Sequence, residues 1–235
     1  MSTAVTAERL ATQRKSHARH VATRAVGRTI LYLVIIAGSA MYLFPFLWML
    51  STSLKSLDQV YLWPPAWVPN PVTWANYADA WAQLPFATFY KNTLTIVVSC
   101  IVGSILSCTI VAYGFARLRF PGRDFLFLVL LSTMMLPGQV TMIPLYMWYA
   151  KLGWVNTYRP MIVPTFFGSA FHIFLLRQFF MTIPHELDDA AKIDGCGYVR
   201  TLYNIILPLA LPALGVVAIF NFNTHWSEFL GPLIY

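Results

Sequence analysis

Charge is scarce in this sequence: of 235 residues only 11% are Asp, Glu, Lys or Arg, and acids are the scarcer sign, nine against sixteen bases. So little charge beside 58% hydrophobic residues and a mean hydropathy of +0.61 excludes an ordinary soluble domain and implies a membrane protein. Cysteine is nearly missing as well. Cys100, Cys108 and Cys196 lack metal-ligand spacing, and the first two fall in an apolar run where the side chain serves as a small hydrophobe, so neither a metal site nor a disulfide framework is expected. Catalytic signatures are also wanting. His185-Glu186 opens like an HExxH zinc motif, but the fifth position is Asp189; Gly195-Cys196-Gly197 lacks a third glycine and a preceding strand; and no GxxxxGK[ST] phosphate loop occurs. The chain is therefore not expected to be an enzyme or to hold a cofactor of its own.

What is abundant is long apolar sequence. A bilayer core of about 30 Å needs about 20 helical residues to cross it. Runs of that order cover residues 30–50, 92–116, 125–150, 160–176 and 207–235, and without strand-like alternation they predict an all-α membrane protein, a polytopic helical bundle with five visible spans. The net charge of +7 could suggest nucleic acid, yet the bases sit in short segments between these runs, so no nucleic-acid partner is expected. Twelve Lys and Arg fall in the amino-terminal tail, residues 1–29, and in the connections after the second and fourth spans, against four on the other side, so those three segments are expected in the cytoplasm. The tail lacks the apolar core of a signal peptide and reads as an irregular basic arm near anionic membrane lipid. Between the first two spans, Trp63, Trp67, Trp74 and Trp81 among prolines suit either an interfacial belt or a sugar-stacking platform.

Inside the spans, Met135-Leu136-Pro137-Gly138-Gln139 interrupts the third about 18 Å from its start, which predicts a break at depth, as a packing kink or as the lining of a polar path. Pro208 and Pro212 read as helix-entry residues. The fifth span carries Asn221, Asn223, His225, Trp226 and Glu228, its asparagines serving as helix-to-helix glue or as contacts to a polar substrate. Glu228 is functional if submerged, or an interfacial carboxylate. Gln139, Asn221, Asn223, Trp226 and Glu228 are the candidate substrate path, and His172 reads as a packed polar residue.

The cytoplasmic connection 182–206 reads as two short helices. Pro184 suits a first turn, Glu186, Asp188 and Asp189 favour the positive end of the helix dipole, and Gly195 supplies a left-handed stop before a second helix from Gly197. Ala190 and Ala191 leave a bare patch for close approach by another backbone. The order Asp189-Ala190-Ala191, three residues, Gly195, nine residues, Ile205, one residue, Leu207-Pro208 resembles the EAA loop of the membrane subunits of binding-protein-dependent ABC importers, with Asp for the usual Glu. Arg119-Phe120-Pro121-Gly122-Arg123, Leu136-Pro137-Gly138-Gln139 and Trp226-Ser227-Glu228-Phe229-Leu230-Gly231-Pro232 are similar to the carbohydrate-uptake permeases, above all the second, maltose-type inner permease of the paired subunits.

That resemblance implies a bacterial inner membrane subunit with a second homologous permease, a cytoplasmic ATPase dimer holding ATP and Mg, and an extracytoplasmic solute-binding protein. It implies that Glu186, Asp189, Ala190, Ala191, Asp194 and Gly195 dock on the ATPase, that the cargo is a sugar or related polyol, and that a sixth span, missing here, completes the plan. A proton-coupled secondary transporter is the alternative, though it would place several ionisable groups at mid-membrane and only His172 clearly qualifies.

Overall fold

All regular secondary structure among the described residues is helical, as a lipid environment that leaves no backbone group unpaired requires. The computed structural model describes the backbone of residues 2–235 and the side chains of residues 26–235. Among the described residues three helical stretches are long and apolar enough to cross a membrane, Val26–Ser53, Phe86–Arg117 and Arg159–Thr182, and two bent pairs bring the number to five when each counts as one span. Each of the five overlaps one apolar run of the sequence, the fifth starting at Tyr198 and ending at Trp226 rather than covering 207–235. Met1–Pro85 and Phe86–Tyr235 form two units, each taken by itself below.

The first unit holds α1 (Ser2–Ser53), α2 (Leu57–Val60) and α3 (Ala75–Gln83). The basic segment expected to be irregular is backbone helix continuous with the first span; its side chains before Val26 lie outside the described residues. Residues 2–26 contain neither Pro nor Gly, and extending an existing helix adds a hydrogen bond for each residue fixed, whereas starting a new one is costly. After α1 the chain folds back on its end. Asn76 donates to the carbonyls of Ser53 and Lys55 at 3.0 and 2.8 Å, Trp67 sits edge-on to Trp48 with centroids 5.2 Å apart, and Lys55 Nζ lies 4.2 Å from the Trp48 ring centre.

The second unit is organised by α4 (Phe86–Arg117). It is followed by α5 (Arg123–Ser132), a 3-10 turn at Thr133–Met135, α6 (Gly138–Lys151), α7 (Arg159–Ile162), a 3-10 turn at Val163–Phe167 and α8 (Ala170–Thr182). Then come α9 (Glu186–Ile193), α10 (Tyr198–Thr201), a π turn at Leu202–Ile206, α11 (Leu207–Leu209), α12 (Leu211–Trp226) and α13 (Leu230–Ile234). Cys108, Ala112 and Ala116 form one face of α4 and are buried against Ile173, Leu176 and Phe180 of α8 and Ala213, Leu214 and Val217 of α12. Small residues four apart let backbones approach closely, which in lipid replaces the hydrophobic drive that water would supply. Cys100 and Cys108 are fully buried, in keeping with their reading as small hydrophobes in an apolar run.

The third span breaks where the sequence places a break. α5 and α6 meet at 94° across Leu136-Pro137; Leu136 is extended (φ −80°, ψ 117°), the conformation its following proline favours. The fourth span runs past the expected end at 176 to Thr182. Arg177 does not stop it because the guanidinium lies 4.1 Å from the Phe127 ring centre. The fifth apolar run is not one helix: it bends by 78° at Ala210 between Pro208 and Pro212, and α12 ends at Trp226, so the single span expected over 207–235 becomes α12 with a short α13 beyond it.

Candidate functional site

Two places in the second unit gather the residues singled out by sequence. The first is the 182–206 connection. Ile183 leaves α8 in an extended conformation before Pro184, and α9 then starts with Glu186, Asp188 and Asp189 in its first turn and ends with Lys192 in its last, each charge at the helix end that attracts it. Gly195 has φ +75°; its N–H donates to Lys192 at 3.0 Å and the Cys196 N–H to Ala191 at 2.8 Å, the pair of bonds that defines a Schellman stop.

The faces of α9 are unequal. Glu186, Asp189, Ala190 and Asp194 are exposed, and Ile193 is 87% exposed despite being apolar. Ala191 is turned inward at 2%. The expectation that Ala190 and Ala191 together form the outward contact face is corrected accordingly: Ala191 packs against its own chain, and the available face is Glu186, Asp189, Ala190 and Asp194, with Ile193 beside them. Successive residues on a helix point about 100° apart, so adjacent alanines cannot both lie at the centre of one face.

The inward face of α9 is held by a residue that sequence reasoning used only to assign topology. Arg117, in the last turn of α4, has a side chain 2% exposed; its Nη1 lies 2.8 Å from Asp188 Oδ2 and 2.9 Å from His185 Nδ1, and its Nη2 donates to the carbonyls of Phe180 and Ile183, both at 2.7 Å. A basic residue where an apolar run stops is a common membrane-edge feature, so nothing local in the sequence marked it out.

The second place is a cavity of about 400 Å³. Ser104 of α4, Ser169 and His172 at the start of α8, and Asn221, Thr224 and His225 of α12 face it, with Glu228 just past the end of α12. His172 Nδ1 is 3.4 Å from Ser104 Oγ. Asn221 is 3% exposed and donates through Nδ2 to the Val217 carbonyl at 3.0 Å, and Glu228 Oε1 accepts the Gly231 N–H at 2.9 Å, which also ties down the start of α13. Of the five path residues expected from sequence, Asn221 and Glu228 meet here. Asn223 is exposed on another face of α12, Gln139 is exposed in the first turn of α6, and Trp226 stacks on Phe222 with centroids 5.1 Å apart. Sequence reasoning missed Ser104, Ser169 and Thr224 and set His172 aside. A signal was available: Asn221, Thr224, His225 and Glu228 stand at i, i+3, i+4 and i+7, one helical stripe, whereas Asn223 falls about 200° from Asn221.

A helical membrane subunit with a capped amphipathic loop helix at one end and, among its spans, a cavity that several polar groups face is built like a transport permease. The chain belongs to the family of binding-protein-dependent transport system inner membrane components, whose family model matches residues 105–235. It is 34% identical over 206 residues to the diacetylchitobiose uptake system permease protein NgcG of Streptomyces coelicolor, covering 87% of this chain and 68% of that protein. It is 32% identical over 211 residues to the sn-glycerol-3-phosphate transport system permease protein UgpE of Yersinia enterocolitica, covering 86% and 74%. Its fold matches a chain in the crystal structure of a bacterial ABC transporter involved in the import of the acidic polysaccharide alginate, with a TM-score of 0.80 at 23% identity over 89% of this chain and 74% of that one.

The chain is thus a permease subunit of an ABC importer of the inner membrane, a non-catalytic component whose system also comprises a second permease, an ATPase and a solute-binding protein. This membership sets aside the proton-coupled secondary transporter.

Proposed function

We propose that this subunit forms, with a second permease, the path of a sugar or related polyol, and that α9 carries the motion of a cytoplasmic ATPase dimer into the spans. The observation that supports this most is the lining of the cavity: hydroxyls from Ser104, Thr165, Ser169 and Thr224, the Asn221 amide, the imidazoles of His172 and His225 and the Glu228 carboxylate, beside apolar Pro160, Met161 and Pro164 and with no Lys or Arg among the lining residues. Together such polar groups both donate to and accept from hydroxyls, which is what a polyol stripped of water needs. Two relatives are named for uptake of a saccharide and of glycerol phosphate, in keeping with that class.

In this reading the amino terminus and the 117–123 and 182–206 connections face the cytoplasm, as their bases suggest. ATP and Mg bind the partner ATPase. Its closure moves α9 through Glu186, Asp189, Ala190 and Asp194, with Gly195 fixing the turn that follows, and the permease pair opens outward to take cargo from the solute-binding protein. Asp189 reaches one methylene less far than Glu and is already 3.3 Å from Lys192, so it docks over a shorter distance to a basic partner. Gln139, Asn223 and Trp226, which lie away from the cavity, are assigned to contacts with the second permease or lipid. The test is uptake by proteoliposomes holding this subunit with its second permease, ATPase and solute-binding protein, offered labelled neutral disaccharides, glycerol phosphate and an amino acid. ATP-dependent accumulation of a polyol supports the proposal; accumulation of the amino acid alone rejects it.

A further inference from the structure

We propose that Arg117 is the positioning residue that makes the coupling helix and the cavity-lining spans move as one body; the proposal rests on the reading of α9 as the helix driven by the ATPase. One guanidinium joins three elements. It belongs to the last turn of α4, its Nη2 binds the Phe180 and Ile183 carbonyls at the end of α8, and its Nη1 is 2.8 Å from the carboxylate of Asp188 in the first turn of α9.

The charges are matched where the Nη groups make contact, although Arg117 Nε is buried without a hydrogen-bond partner. The carbonyls at the end of a helix carry partial negative charge and lack intrahelical donors, so a cation there is favourable. Asp188 sits at the positive end of α9 and adds a formal charge pair. Arginine suits this position because its planar fork presents several donors at fixed angles, whereas a lysine ammonium is a single point that cannot reproduce the fork. Burial makes the link stiff: the Arg117 side chain is 2% exposed and that of Asp188 13%, so pulling them apart separates two opposite charges that are largely out of water.

The mechanical consequence follows from what else α4 and α8 carry. Ser104 lies thirteen residues before Arg117 on α4, about 20 Å along the helix, and His172 lies on α8; both face the cavity. A displacement of α9 therefore either tears a buried ion pair or is passed to two of the helices that line the cargo path. The second outcome is cheaper, so the link acts as a tie rod. Asp188, left out of the docking residues by sequence, is its other end.

The experiment uses the whole importer in proteoliposomes with loaded binding protein, and reads cargo moved per ATP hydrolysed. A variant that only lowers the fraction of folded complex reduces both quantities and leaves that ratio unchanged. Arg117→Gln should keep membrane abundance and the disulfide formed, with an added thiol oxidant, between a cysteine introduced by Ala190→Cys and one introduced in the docking cleft of the ATPase, while the ratio falls about tenfold. Arg117→Lys should recover part of it. If Arg117→Gln fails to accumulate, the isosteric Asp188→Asn decides, since it leaves the carbonyl bonds intact: a several-fold lower ratio is expected. A ratio unchanged in the variant that does accumulate, with the cross-link present, overturns the tie-rod role and spares the coupling reading. Absence of the Ala190→Cys cross-link in otherwise unaltered importer overturns the coupling reading itself.

Discussion

Replacing Gly103 by alanine should weaken the packing of α4 against the fourth span. A Cβ built at Gly103 would lie 2.6 Å from both Phe166 Cδ2 and Thr165 Oγ1 and 2.7 Å from Phe166 Cε2, against 3.4–4 Å for ordinary contact. The ring and the hydroxyl must both retreat, and the hydroxyl is held by its 2.7 Å bond to the Ile162 carbonyl. Next to it, Ser107 Oγ donates to the Thr165 carbonyl at 2.9 Å, so the backbone of the 3-10 turn is tied to α4 as well. Overpacking of this kind costs about 1–3 kcal/mol. Gly114, eleven residues further along the same helix, is the internal control, because its Cβ meets nothing within 4 Å. Both changes gain the same helix-propensity term, so it cancels between them. For a chain of this size each kcal/mol shifts the midpoint by about 2–4 °C, so Gly103→Ala should unfold about 2–12 °C below Gly114→Ala. Thermal unfolding of the two purified variants in one detergent measures the difference. Equal midpoints, or a higher one for Gly103→Ala, would refute the close contact.

Three further outcomes are expected. Gly195→Val forces a branched residue into a left-handed backbone at about 1–2 kcal/mol, while Gly195→Asn tolerates it; the first should lose stimulated ATP hydrolysis at normal membrane abundance and the second should keep it. Ala190→Trp, on the exposed side of α9, should abolish co-purification of the ATPase without changing the subunit's own midpoint, whereas Ala191→Trp should lower that midpoint; ATPase capture unaffected by Ala190→Trp would move the docking face elsewhere. Asn221→Leu should slow uptake about tenfold with assembly intact, through a lost polar contact to cargo, and Asn223→Leu should leave it within about twofold; equal effects would assign both to helix packing.

The parts of this architecture written in local pattern were legible. Span positions follow from run length, the 94° break follows from Pro137, and the turn after α9 follows from a glycine placed where a left-handed residue is needed. What was not legible rests on geometry that local pattern does not carry. Asn223 was grouped with Asn221 by proximity along the chain, although residues two apart on a helix do not share a face. Ala191 was grouped with Ala190 for the same reason, and only its burial separates them. The expected continuous span over 207–235 ignored that two prolines four apart permit a bend between them. Arg117 and Asp188 are 71 positions apart, so their 2.8 Å pairing was outside the reach of any window read along the chain.

The central claim is that nucleotide at the ATPase changes the exposure of a cavity formed by α4, α8 and α12. A single cysteine introduced by Thr224→Cys, which lines that cavity, reports on it once the half-buried Cys196 is changed to Ser; Cys100 and Cys108 are buried. In the reconstituted importer its labelling by a membrane-impermeant maleimide from the outer side is followed with and without ATP and loaded binding protein. The account predicts fast labelling only when both are present. Labelling at one rate in all conditions would contradict it.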